Sequence, residues 1–78
     1  MNYLVAIIRE DAATKTQYAS LPNDLAVIYQ QTLASQLEGV KNYADAKVIA
    51  DSLLEDFVSQ LDDDNFHQME LNAIKLKN

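Results

Sequence analysis

The chain has no cysteine and no tryptophan, and only one histidine, one glycine and one proline among its 78 residues. Without cysteine there can be no disulfide and no thiolate metal site. With a single histidine, a zinc site would have to draw its other ligands from carboxylates, which is unusual for structural zinc. A lone glycine, Gly39, leaves no phosphate-cradling loop and no dinucleotide fingerprint. No serine lies in the G-x-S-x-G context of a nucleophile elbow. A domain this short buries only about 60–65% of its unfolded surface. Of the devices that reinforce small domains, oligomerisation is the one left open.

Basic residues are also scarce. Six Lys and Arg face twelve Asp and Glu, for a formal charge of −6. That balance disfavours direct nucleic-acid binding, where Lys and Arg neutralise phosphates, and it disfavours an anionic membrane surface. Long apolar runs are missing too. The longest, residues 3–8, is far short of a membrane span. It ends at Arg9-Glu10-Asp11 and lacks a signal peptide's basic start. A cytoplasmic location is the simplest expectation. No small-molecule substrate or cofactor is evident.

What is present is enough apolar content for a fold, 49% of residues, above the range of disordered chains. Residues 2–9, NYLVAIIR, form a short run rich in aliphatic and β-branched residues and predict a strand. Tyr3, Val5 and Ile7 alternate with Leu4, Ala6 and Ile8, so both faces are apolar and both need cover. Residues 14–20, TKTQYAS, suggest a second strand across an EDAA hairpin loop, although the loop lacks a tight-turn signal.

Residues 21–38 predict a helix. Leu25, Tyr29, Leu33 and Leu37 step by four, Ser20 is the expected cap, and Pro22 falls in the tolerated first turn. Gly39 stands where a left-handed terminating residue belongs. Residues 43–61 predict a second helix, capped by Asn42 with Asp45 three residues on. Its apolar stripe is Ala46, Ile49, Ala50, Leu53, Phe57 and Leu61. The GVKN link makes the two helices antiparallel neighbours. Residues 66–77 fit either period. A strand is favoured over a helix, because strand 2–9 needs neighbours. The expected fold is therefore α+β: one domain, 1–78, with a two- or three-stranded sheet under two antiparallel helices.

The densest chemistry is LDDDNFHQ, residues 61–68. Asp62 and Asp64 have the spacing that opens a calcium loop, but the register then meets Phe66, His67 and Ala73 where a further ligand, Gly and Glu are required. Three acids at a helix C-terminus oppose its macrodipole, so the run predicts a stop near Leu61 and a solvated connector. An enzyme using Asp62, Asp64 and His67 with a metal is a remote alternative. The neighbouring acids Glu10/Asp11 and Glu55/Asp56 are weak candidates for an acid–base couple. No catalytic residue is expected.

Two features suggest an interaction surface. Leu4, Ala6 and Ile8 on the second strand face, with Val27 and Val48 on the outer sides of the helices, are apolar in excess of what the fold covers. Asp45, Asp51, Glu55 and Asp56 form an acidic face on the second helix, suited to a basic protein surface. The expectation is a non-enzymatic interaction or regulatory protein that pairs with a second copy, a homodimer formed through the sheet, or binds another protein. The alternative is an acidic inhibitor or mimic that docks on a basic nucleic-acid-binding protein.

The stretch MNYLVAIIRED…YASLPNDL resembles the start of HicB-type antitoxins, where a strand pair leads into a Pro-Asp-Leu-Pro-Gly turn. The likeness is confined to the N-terminal part. The turn's glycine is missing and Ala26 replaces its second proline, so no family is assigned.

Overall fold

A computed structural model of the protein describes residues 3–14 and 17–77. They form five helices: α1 (Tyr3–Thr14), α2 (Gln17–Ser20), α3 (Asn23–Gln36), α4 (Tyr43–Ser59) and α5 (Asp63–Lys77). Among the described residues there is no strand. The α+β expectation is thereby overturned, and with it the sheet through which pairing was expected.

The expected strand at 2–9 is helix α1 over its described part, and Asn2 lies outside the described residues. Leu4, Ile7, Ile8 and Asp11 recur at helical spacing, and Ile7 and Asp11 are buried. Six consecutive apolar residues satisfy period 2 and period 3.6 alike. The residues that follow decide it. Glu10, Ala12 and Ala13 favour helix, and nothing there supplies a turn. Thr14 Oγ1 donates to the Glu10 carbonyl at 2.9 Å as the helix closes.

The expected strand at 14–20 also fails. Thr14 ends α1, residues 15 and 16 lie outside the described residues, and Gln17–Ser20 make one helical turn that buries Tyr18 and Ser20. The cap of α3 is Pro22 rather than Ser20. Pro22 is extended (φ −53°, ψ 145°) and contributes no side-chain bond. Gly39 does take the left-handed conformation, with φ +81°.

Helix α4 starts as its sequence signals. The Asp45 amide donates to Asn42 Oδ1 at 2.8 Å, and Asn42 Nδ2 donates to Asp45 Oδ2 at 3.0 Å. The cap thus uses the side chains of both residues. The helix ends at Ser59, with Gln60 as its C-cap, slightly before the expected 61.

Residues 66–77 are helical as well, within α5. Asp62 Oδ1 accepts the Asn65 amide at 2.8 Å, the geometry of an N-cap. Asp63 and Asp64 occupy the first turn, and Lys75 and Lys77 the last. Both ends complement the macrodipole. The Asp run therefore marks where α5 starts. It does not destabilise the end of α4, because α4 has already stopped.

The core joins Ile7, Tyr18, Leu21, Tyr29, Leu33, Ala46, Ala50, Leu53, Leu54 and Met69. Tyr29 is its centre, 1% exposed. Its ring meets Phe57 edge-on at 5.6 Å and lies tilted against Tyr18 at 5.1 Å. Its hydroxyl donates to the Ala50 carbonyl at 3.0 Å. Helices α3 and α4 run antiparallel: Leu25 shares a groove with Phe57 and Leu61, while Gln36 shares one with Val48 and Ile49. Helix α1 packs on α2, α3 and α4, whereas α5 packs chiefly on α2. No described helix is long and apolar enough to cross a membrane.

Candidate interaction surface

The polar side chains between α1 and α4 are organised around Lys47. Its Nζ lies 3.1 Å from Asp11 Oδ1 and 3.3 Å from Asp51 Oδ1. Asp11 is buried in a position that helical spacing gives to the core-facing side of α1, so a cation at this point offsets the cost of burying a carboxylate. Burial lowers the Lys47 pKa, but the hydrogen bonds and charges of Asp11 and Asp51 outweigh it and the net shift is upward. Burial, reinforced by the Asp11 charge, pushes the nearby Tyr29 hydroxyl up to about 12. Glu10 accepts the Tyr43 hydroxyl, and that bond, ahead of burial, raises the Tyr43 pKa. The neighbouring acids Glu10 and Asp11 thus take different partners on α4. This arrangement ties two helices together.

The apolar residues expected on an open sheet face are placed otherwise. Leu4 and Ile8 are half-buried against the core, and Ala6 is half-buried on the same helix. Leu4 also lines a surface groove with Tyr3, Leu37 and Val40. Val27 and Val48 are exposed, at 54% and 68%. Each lies roughly opposite the buried residues of its helix.

Val48 stands in the middle of the acidic face of α4. Asp45, Asp51 and Ser52 are its neighbours three and four positions away, with Glu55 one turn beyond Asp51. Two shallow grooves meet at Val48 and Ile49. One includes Val40 and Asp45, the other Gln36 and Asp56. The acids there are not equivalent. All four are exposed, but Asp45 is engaged by Asn42 and Asp51 by Lys47.

Asp62 serves as the α5 cap, Asp64 is exposed in its first turn, and His67 is exposed one turn on. Among the described residues, no group of three His, Cys, Asp or Glu is placed to hold a metal ion.

Sequence reasoning missed the surface of α5. Phe66, Leu71 and Ile74 are exposed at 48%, 40% and 57%. At about 100° per residue Leu71 and Ile74 lie on the side away from buried Met69, and Phe66 lies about 60° from Met69, at the edge of the inner face. The signal was the three- and four-residue spacing of Phe66, Met69, Ala73 and Leu76. That spacing defines an inner face with Phe66 at its exposed edge and leaves Leu71 and Ile74 outside it.

The chain matches no protein family, no curated protein and no solved structure.

Proposed function

We propose that this chain is a non-enzymatic interaction or regulatory protein that associates with a second copy of itself. The observation that carries the reading is α5. It packs chiefly on α2, yet it carries three large apolar side chains that stay exposed, Phe66, Leu71 and Ile74. Exposed apolar surface gathered on one element is the common mark of a docking site. Sedimentation across a concentration series tests it. A mass that rises with concentration supports the reading, and a monomer at high micromolar concentration refutes it.

A second reading rests on α4. Val48 within an acidic ring supplies an apolar centre with a charged rim, the anatomy of a protein-docking site for a basic partner. Under that reading the chain occupies a nucleic-acid-binding protein in place of nucleic acid. Titration against basic nucleic-acid-binding proteins tests it. Binding must weaken with salt and be lost when Val48 and Glu55 are replaced by Lys.

A further inference from the structure

The outer stripe of α5 has an order that suits one partner. Counting from Glu70, Phe66 lies four residues before and Ile74 four after, while Asp63 lies seven before and Lys77 seven after. Steps of four and seven keep all five on one side of a helix, and all five are exposed. The stripe therefore reads acid, apolar, Glu70, apolar, base. Turned end for end and laid on itself, it sets Phe66 against Ile74 and Asp63 against Lys77 in a single register.

The geometry points to α5 as a self-complementary face that pairs antiparallel with α5 of a second copy about a two-fold axis at Glu70. This rests on the self-association reading above and gives it a place and an orientation. A two-fold interface uses the same patch on both copies, and the order of the stripe meets that requirement. A parallel arrangement would oppose Asp63 to Asp63 and Lys77 to Lys77. Glu70 meets its own copy at the axis, which weakens the pair. The face is small, about 22 Å long at 1.5 Å per residue, well below a standard interface. A weak, concentration-dependent dimer follows.

Charge reversal tests the arrangement in the full chain. Asp63→Lys alone or Lys77→Glu alone should raise the dimer Kd about fivefold, because the two-fold axis puts each substitution into two exposed charge pairs. The double variant should return it near the parent value, and Glu70→Gln should tighten it. Ile74→Glu, at an exposed position, should weaken the dimer while circular dichroism shows the helices intact. Dimers insensitive to all five variants would overturn the α5 pairing and leave self-association standing. A parent chain that never dimerises would overturn both.

Discussion

Replacing Tyr29 by Phe removes one hydroxyl and leaves the ring in place against Tyr18 and Phe57. At neutral pH the loss is the hydrogen bond to the Ala50 carbonyl. That carbonyl sits inside α4 and keeps an intrahelical partner, so the cost is about 1 kcal/mol. A domain of this size has only about 4–12 kcal/mol of stability in all. At alkaline pH the balance changes. The folded Tyr29 pKa is raised to about 12 from 10.0. A raised pKa contributes stability in full below the unfolded value and loses it as pH climbs toward the folded one. Wild type thus loses about 1.4 kcal/mol from this group by about pH 11, and about 2.7 kcal/mol over the full shift. The Phe variant carries no such group, and the deprotonation of Lys47 affects both proteins alike. Urea unfolding of the pair at about pH 8 and about pH 11 should show a gap of about 1 kcal/mol shrinking to nothing or changing sign. A gap that stays constant would refute the placement of this hydroxyl.

Three further substitutions probe the frame. Lys47→Met removes the cation from buried Asp11 and should cost about 1.5–3 kcal/mol, the range of a hydrogen bond to a charged group, whereas Asp51→Ala, which breaks only the exposed i,i+4 pair, should cost about 0.2–0.5 kcal/mol. Comparable losses in the two denaturation curves would contradict the seam. Asn42→Ala removes the α4 cap and should cost about 1 kcal/mol, read as a lower melting temperature. Gly39→Ala meets open space but forces a side chain into φ +81°, so it should destabilise by about 1 kcal/mol. A neutral result would argue against the left-handed turn.

Much of α3 and α4 was readable from the sequence because their signals are local. Leu25, Tyr29, Leu33 and Leu37 repeat every four residues, Gly39 turns the chain two residues past the Leu37 cap, where a helix end at 38 was expected, and Asn42 starts the next helix. The same signals placed Val27 and Val48 outside. Helix α1 was misread because YLVAII fits any period, and the informative residues lay in the tail after it. Helix α5 was misread because Met69, Leu71 and Ala73 alternate while Phe66, Met69, Ala73 and Leu76 spiral, and because a wrongly assigned strand at 2–9 demanded a neighbour. The Asp run shows how one correct principle can mislead. Its dipole argument was applied to the end of α4, but the acids belong to the start of α5, where the sign is favourable. The Asp11–Lys47 pair spans 36 positions and depends on how α1 lies on α4, so no local pattern could show it. Val27 and Val48 are exposed, as the helical spacing expects, whereas Leu4, Ala6 and Ile8 are half-buried on α1, because the described residues form no sheet face for them to line.

The absence of cysteine makes one measurement unusually direct. Single variants Glu70→Cys, Lys77→Cys and Asp63→Cys report, through disulfide formation under mild oxidation, which positions meet across the dimer. The antiparallel pairing predicts that Glu70→Cys cross-links with itself. Lys77→Cys and Asp63→Cys should each form no cross-link alone and cross-link when mixed. Self-cross-linking of Lys77→Cys with none from Glu70→Cys would contradict it.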